Sequence, residues 1–199
     1  MNITTEYTQS TFLITIFNNK IKTTITHHPI SVSTFISTLQ PHNSPTIIGL
    51  DIEWRPSFSS CTPPISTLQL CTSTKCLIFQ LLHAPSIPNS LFHFLNNPNF
   101  CFVGVGIKED VDKLWRNNGL YVRNFRDLRE MAVEKTGRVE LRNTGLMGLG
   151  KEILGWEIEK PKNVTMSNWE NERLSDEQIQ YACVDAYLSY SIGQCLIYG

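Results

Sequence analysis

Residues 46–54 read TIIGLDIEW, an apolar run that carries two acidic residues near its end. A short run rich in isoleucine predicts a buried β-strand. Its acidic residues, Asp51 and Glu53, occupy positions i and i+2, whose side chains project from the same face of a strand. They are also the only acidic residues between Glu6 and Glu109. The sequence therefore predicts two isolated carboxylates side by side on one strand.

Two neighbouring carboxylates repel each other unless a cation lies between them. Hard divalent cations such as Mg²⁺ and Mn²⁺ prefer oxygen ligands of this kind. A cation site at Asp51 and Glu53 is one interpretation of the pair. A solvent-facing strand edge with incidental acidic residues is the other.

Apolar or alternating segments bounded by turn residues predict the remaining strands. β-Branched runs over residues 11–26 predict a hairpin. After a loop at residues 57–64, segments 65–73 and 75–81 predict two further strands, consecutive and antiparallel to the first. The wholly apolar run FCFVGVG, residues 100–106, predicts a strand covered on both faces.

Helical periodicity dominates the second half of the chain. Gly119 and Gly155 stand where helices are expected to end. Ser175 and Gln178 match a capping box, which predicts the start of the last helix. The predicted helices cover residues 31–39, 90–97, 108–117, 126–135, 145–154 and 175–197.

Strands early in the chain, one strand in the middle and helices late describe an α/β domain with one mixed central sheet flanked by helices. With 199 residues, 22.7 kDa and 41% apolar residues, the chain has the size of one domain with one core. We predict a single domain over residues 1–199. The hairpin is expected to belong to it, and residues 46–197 carry its motifs.

Composition and charge limit the function classes. A net charge of −1 excludes the broadly basic field of a protein that coats long nucleic acid, so any nucleic acid is expected to bind locally. The start, MNITTEYTQS, lacks the regions of a secretory signal, and no apolar run has the length of a membrane span. None of the six cysteines shows C-x-x-C spacing. We expect a soluble protein of the nucleus or cytoplasm without a membrane partner.

Further polar residues fall at positions of functional interest. Asp110 closely follows the predicted strand at residues 100–106, and α/β sheets carry functional groups at such strand ends. A favourable interaction with the dipole of the next helix is the alternative for Asp110. Tyr181 and Asp185 have i, i+4 spacing on the last helix, which places them on one face, beside its apolar stripe and near the rim of its buried side. Tyr181 by itself would be interpreted as packing.

Carboxylates from a strand, a strand end and a C-terminal helix can converge on two metal ions about 3.5–4 Å apart, the arrangement used for in-line phosphodiester hydrolysis. One ion lowers the pKa of the attacking water, and the other stabilises the departing 3′ oxygen. A tyrosine hydroxyl within hydrogen-bond distance orients that water. The four acidic residues are the predicted metal ligands, and the tyrosine is predicted to position the water. The predicted catalytic set is Asp51, Glu53, Asp110, Tyr181 and Asp185.

The ordered motifs resemble those of the DEDD (DnaQ-like) exonuclease superfamily in its tyrosine-bearing branch. Within that branch they resemble the Werner-type 3′–5′ exonucleases, particularly the small stand-alone proteins of plants. Residues 51–54 (DIEW) are similar to the first motif, residues 104–110 (GVGIKED) to the second and residues 181–185 (YACVD) to the third. The stretch SNW at residues 167–169, followed by Leu174-Ser175, is also similar to the segment that precedes the last helix.

This resemblance implies a ribonuclease H-like fold, two Mg²⁺ or Mn²⁺ ions, and removal of single nucleotides from a 3′ end as nucleoside monophosphates. It also implies a role for each acidic residue. Asp51 would contact both ions, and Glu53 and Asp185 would hold the ion beside the nucleophile. Asp110 would serve the second ion, directly or through water.

Some residues near the motifs are predicted to contact substrate, by stacking on the terminal base or by binding phosphates. Core packing is the alternative for the strand residues, and surface solvation is the alternative for the basic ones. The predicted contacts are Trp54, Leu68, Gln69 and Lys108, with Arg142, Lys160 and Lys162 as further candidates for phosphate contacts.

Single-stranded DNA or RNA 3′ ends are the expected substrates. The plant proteins that the chain resembles include ribonucleases that act with small-RNA silencing complexes and assemble into rings. The resemblance therefore admits RNA clearance, a ring-shaped homo-oligomer, and a silencing or DNA-repair protein as partner. A binding or assembly module that keeps the fold without catalysis is the hypothesis from another class, motivated by the near-neutral charge.

Overall fold

The computed structural model describes residues 9–41, 45–56, 63–159 and 162–199. Within these residues, seven strands form one sheet. The strands are β1 (Gln9–Ile16), β2 (Asn19–Thr26), β3 (Thr46–Glu53), β4 (Thr67–Cys71), β5 (Lys75–Phe79), β6 (Phe100–Gly104) and β7 (Phe125–Asp127). The predicted loop at residues 57–64 lies mostly outside the described residues.

The strands lie side by side in the order β1-β2-β5-β4-β3-β6-β7. Strands β2, β5, β3, β6 and β7 run in one direction, and β1 and β4 run in the other. The predicted hairpin and the predicted antiparallel order of β3, β4 and β5 are confirmed. The hairpin joins the common sheet because β2 pairs in parallel with β5. The carboxyl ends of five strands therefore lie at the same edge of the sheet, the usual place for functional groups in α/β domains.

Helices cover both faces of the sheet, as predicted. Helices α1 to α3 share a core with one face, and α4 to α7 pack on the other. No helix among the described residues is long and apolar enough to cross a membrane. The helices are α1 (Pro29–Ser37), α2 (Asn89–Leu95), α3 (Ile107–Asn118), α4 (Leu128–Thr136), α5 (Leu146–Leu149), α6 (Lys162–Thr165) and α7 (Asp176–Tyr198).

Two predicted helices differ from the structure. The helix predicted over residues 126–135 is wrong in its first turn, because residues 125–127 form β7 by pairing with β6 at the edge of the sheet. The helix predicted over residues 145–154 is α-helical only as α5, and Gly150–Leu154 continue it as a π-helix. The strand at β7 is a tertiary effect that local periodicity does not report, because it depends on pairing with β6.

The predicted helix boundaries are confirmed where specific residues set them. Gly119 and Gly155 end their helices in the left-handed conformation, with φ of 67° and 70°. At the start of α7, the Ser175 hydroxyl accepts a hydrogen bond from the backbone of Gln178, whose side chain accepts one from the backbone of Ser175. This reciprocal pair fixes where the last helix begins.

Helix α7 lies directly against β3. A Cβ atom at Gly49 would stand 1.9 Å from the carbonyl oxygen of Ala186, so only glycine permits this approach. Helices α4, α5 and α6 also contact α7, in addition to the sheet. Tyr181 and Asp185 are buried, with 7% and 4% of their surface exposed. The prediction that they lie near the rim of the buried side is corrected, because α7 is enclosed on most of its circumference.

Candidate metal centre

The register of β3 and β4 places polar residues on the face of the sheet that α7 covers. Asp51 is opposite Gln69, and Glu53 is opposite Thr67. Side chains alternate along a strand, so Ile52 between the two acidic residues points to the other face, where it packs in the core shared with α1 to α3. The two carboxylates therefore project together toward α7 at the carboxyl end of β3.

Asp185 completes this group from α7. Asp51, Glu53 and Asp185 each bring a carboxylate oxygen to within 4.8 Å of the other two. Among the described residues, no other set of three His, Cys, Asp or Glu side chains comes together in this way. The structure thus brings three of the four predicted ligands together, although Asp185 lies more than 130 positions after the other two in the chain.

The donor set fits a hard divalent cation. Three carboxylates at this spacing carry like charges, and burial makes such a group costly unless positive charge lies among them. Oxygen-only ligands favour Mg²⁺ or Mn²⁺ over metals that prefer nitrogen or sulfur. Asp51, Glu53 and Asp185 are therefore suited to hold such an ion.

Asp110 does not belong to the group of three. It lies in the first turn of α3, at the same edge of the sheet. Lys113, one turn further on the same side of this helix, places its ammonium nitrogen 4.8 Å from the centre of the Trp54 ring, directly after β3. This contact shows that the side of α3 carrying Asp110 faces the carboxyl end of β3.

The charge on Asp110 is disfavoured by its surroundings. Burial, followed by the neighbouring charges of Glu109 and Asp127, raises the pKa of Asp110 to about 7, while the Lys113 ammonium opposes the rise. A carboxyl in such surroundings is stabilised in its ionised form by a nearby cation.

Tyr181 is held by two contacts on its own side of the sheet. Its hydroxyl makes a 2.9 Å hydrogen bond with the hydroxyl of Thr165 at the end of α6. Its ring packs against the ring of Trp169, with centroids 5.9 Å apart. Asp185 lies one helical turn further along α7. The phenol is therefore anchored one turn from the carboxylate group. The sequence analysis did not predict the hydrogen bond of Thr165 with this phenol.

The segment before α7 is fastened to the sheet edge near the carboxylates. Trp169 is fully buried, which explains the SNW stretch as an anchor in the core. The side-chain amide of Gln80, after β5, donates to the backbone carbonyls of Asn171 and Glu172. Arg55, two residues after Glu53, forms a 3.2 Å ion pair with Glu170. These contacts hold the segment beside the end of β3.

The predicted substrate contacts have different surroundings. Trp54 is partly exposed, lies under the Lys113 ammonium and packs against the core shared with α1 to α3. Gln69 is fully buried opposite Asp51, and its side-chain amide donates a 2.6 Å hydrogen bond to the Thr67 hydroxyl. Leu68 is also fully buried, but it points to the opposite face and packs in the core. We correct the prediction for Leu68, because the pleat of β4 turns it away from the carboxylates.

The predicted phosphate contacts of the basic residues also differ in their surroundings. Lys108 is exposed and pairs with Asp112 at 3.1 Å, on the side of α3 away from Asp110. Lys113 lies on the near side instead, and its i, i+3 spacing from Asp110 on a predicted helix was the signal that could have identified it. Arg142 is exposed, Lys160 lies outside the described residues, and nothing is described of the side chain of Lys162.

The mixed sheet with helices on both faces, together with the carboxylates at the carboxyl end of the interior strand β3, defines the class of protein. This is a ribonuclease H-like α/β domain with a cluster of carboxylates suited to a divalent cation. The chain belongs to the 3′-5′ exonuclease family, whose model matches residues 9–196. The predicted resemblance to exonucleases is thereby confirmed.

Two curated relatives support the same family. The chain is 32% identical over 184 residues to a 3′-5′ exonuclease of Arabidopsis thaliana, covering 91% of this chain and 63% of the relative. It is 34% identical over 152 residues to the bifunctional 3′-5′ exonuclease/ATP-dependent helicase WRN of Mus musculus, covering 75% of this chain and 11% of the relative. The chain thus spans less than two thirds of the length of these relatives.

The fold also matches a solved structure. Escherichia coli RNase D, an exoribonuclease involved in structured RNA processing, superposes with a TM-score of 0.73 at 17% identity. The match covers 87% of this chain and 44% of RNase D. At this identity the likeness shows the fold alone.

Proposed function

We propose that this protein is a divalent-cation-dependent 3′→5′ exonuclease that removes nucleoside monophosphates from the 3′ ends of single-stranded nucleic acid. The observation that carries the proposal is the meeting of Asp51, Glu53 and Asp185 within 4.8 Å, in a chain of the 3′-5′ exonuclease family. A scaffold without catalysis has no use for such a group.

Each acidic residue has a role in this proposal. Asp51, Glu53 and Asp185 hold one cation, and Asp51 together with Asp110 holds a second. When bound, such cations favour ionisation of an attacking water and stabilise the negative charge of the departing 3′ oxygen. The residues themselves fix the positions of these charges before the substrate arrives, so little reorganisation is needed during the reaction.

Tyr181 orients the attacking water through its hydroxyl. The hydrogen bond with Thr165 and the packing on Trp169 restrict both the phenol oxygen and the ring. A hydroxyl that is already oriented loses little entropy when it binds the water. Either hydroxyl of the Thr165–Tyr181 pair can be the donor, so the phenol can take either role toward a ligand.

The terminal nucleotide is bound near the end of β3. Trp54 offers a partly exposed ring for base stacking, and the Lys113 ammonium beside it offers a positive charge for a phosphate. Local binding of this kind suits a chain with a net charge of −1.

The proposal is tested with 5′-labelled single-stranded oligonucleotides of one sequence, made as DNA and as RNA. With Mn²⁺ or Mg²⁺, a ladder of shortened labelled products is expected, and chelation should stop its formation. Comparison of the two ladders identifies the preferred sugar, because a 2′-hydroxyl is the group that distinguishes RNA from DNA at a binding site. Only full-length labelled oligonucleotide, for both substrates and at every cation concentration, would contradict the proposal.

Tyr181→Phe is expected to slow trimming by about 100-fold or more, the usual contribution of a residue that positions or transfers a proton. Cation binding should persist, because the four carboxylates are unchanged. The measurements are single-turnover trimming rates and calorimetric titration with Mn²⁺. Tyr198→Phe is the matched control: this tyrosine lies on the same helix, but its hydroxyl donates to the carbonyl of Pro45 before β3. Equal rates for the two variants would remove Tyr181 from the mechanism.

A further inference from the structure

The turn between β6 and α3 determines where Asp110 lies. Gly106 forms this turn in the left-handed conformation, with φ of 69°, and stands at the N-terminal cap of α3. No side chain of α3 caps this end of the helix. Core packing of Ile107, Val111 and Leu114 places α3 as a whole, and the contacts of Gly106 set the direction of its first turn, where Asp110 lies.

Asp127 holds this turn from the neighbouring strand. The backbone N–H of Gly106 donates to Oδ2 of Asp127 at 2.8 Å. The other oxygen, Oδ1, accepts from the backbone N–H of Arg129 at 2.9 Å and caps α4. Strand pairing places Asp127 opposite Gly104 at the end of β6. One carboxylate thus connects the N-terminal ends of two helices.

The chemistry of these contacts requires an ionised carboxylate. Two backbone donors point at two different oxygens, and an asparagine has only one oxygen to offer. Arg129 adds hydrogen bonds from Nε at 3.1 Å and from Nη2 at 2.9 Å to the same carboxylate. Burial raises the pKa of Asp127, but the hydrogen bonds from Arg129 and Gly106 outweigh it and hold this pKa below its usual range.

We propose that Asp127 is a positioning residue of the exonuclease site, which acts by fixing the Gly106 turn and thereby the place of Asp110. The inference rests on the proposed function, because only the proposed function assigns Asp110 to a second cation. Asp127 does not belong to the carboxylate group at β3 and α7. Its effect is confined to the cation that Asp110 holds.

The test is titration of the full chain with Mn²⁺, followed by calorimetry and by the electron paramagnetic resonance signal of the free ion. The original protein is expected to bind two ions. Asp127→Asn should keep the first ion and weaken the second by at least about 10-fold, as residues that support metal ligands usually do. Asp110→Asn is the reference for loss of the second ion. Glu134→Gln is the control. Glu134 lies on α4, like Arg129, and forms an exposed ion pair with Arg126. This variant should bind both ions with unchanged affinities.

A second measurement reports the contact itself without any cation. Without added cations, the Gly106 amide should exchange its hydrogen faster in Asp127→Asn than in the wild-type protein, by about 10-fold or more, because asparagine leaves one oxygen for the two N–H groups of Gly106 and Arg129. The exchange of this amide should be unchanged in Glu134→Gln. A structural role limited to overall stability would raise exchange rates throughout the sheet and weaken both ions together.

Two ions bound by Asp127→Asn with unchanged affinities would overturn the inference. Should Asp127→Asn fail to fold, Gly106→Ala decides: it keeps Asp127 but strains the left-handed turn. Weaker binding of only the second ion supports the inference, and unchanged binding of both ions overturns it. An original protein that binds no ion and trims nothing refutes the proposed function instead, while amide exchange still reports on the Asp127 contact.

Discussion

Asp185→Asn is expected to abolish trimming while the protein keeps its fold. Asp185 is the ligand that α7 contributes, and its carboxylate lies within 4.8 Å of those of Asp51 and Glu53. Asparagine has nearly the same shape, so packing is preserved while one negative charge is lost. The trimming rate should fall by more than about 100-fold, since even residues that only support a metal ligand have effects up to that size. The measurement is the single-turnover rate on a 5′-labelled oligonucleotide.

Thermal unfolding separates this effect from misfolding. In the original protein, Mn²⁺ should raise Tm because the ion binds the folded state alone. The rise should be reduced or absent in Asp185→Asn, whose far-ultraviolet circular dichroism should be unchanged. Asp176→Asn is the control, since it makes the same substitution at an exposed position in the first turn of the same helix. Trimming at the original rate by Asp185→Asn would remove the carboxylate group from the mechanism.

Gly49→Ala is expected to displace α7 from β3. The added Cβ would meet the carbonyl oxygen of Ala186 at 1.9 Å and the backbone nitrogen of Tyr190 at 2.7 Å. Both atoms belong to the helix backbone, so no side chain can rotate to relieve the contact. A cost of about 3 kcal/mol, at the upper end for an overpacked core, would lower Tm by roughly 6–12 °C. Asp185 adjoins Ala186, so affinity for Mn²⁺ should fall as well.

Gly145→Ala is the matched control for this substitution. Gly145 has an ordinary φ of −73°, and a Cβ there would meet no atom within 4 Å. Its stability should change by no more than about 0.5 kcal/mol. Unfolding temperatures and Mn²⁺ titrations of the two variants check the prediction side by side. Equal behaviour of both variants would mean that α7 does not lie against β3 at Gly49.

Much of the architecture could be predicted from local sequence patterns. The strand at Asp51 and Glu53, the covered strand before Asp110 and the capping box of the last helix all depend on neighbouring residues, which a sequence displays directly. Strand β7 could not be read in this way. It has only three residues, and they are extended because β6 offers them hydrogen-bond partners.

The surroundings of single side chains were harder to predict. Leu68 stands one position from Gln69, and which of the two faces the carboxylates depends on how β4 is paired with β3. Lys108 and Lys113 lie on opposite sides of α3, and only the contact with Trp54 identifies the side that faces the site. The role of Asp127 depends on a hydrogen bond to Gly106 across 21 positions of the chain.

The sequence by itself determined which residues are candidates for the chemistry, because isolated acidic residues in apolar surroundings and an i, i+4 pair of tyrosine and aspartate are visible without coordinates. The tertiary structure decided which of them meet. Helix α7 reaches the carboxylates of β3 only because Gly49 lets the two backbones approach closely. The first turn of α3 follows Gly106, whose backbone N–H is bound by Asp127 of β7. Such contacts join segments far apart in the chain, and their energies depend on distances that no local pattern contains.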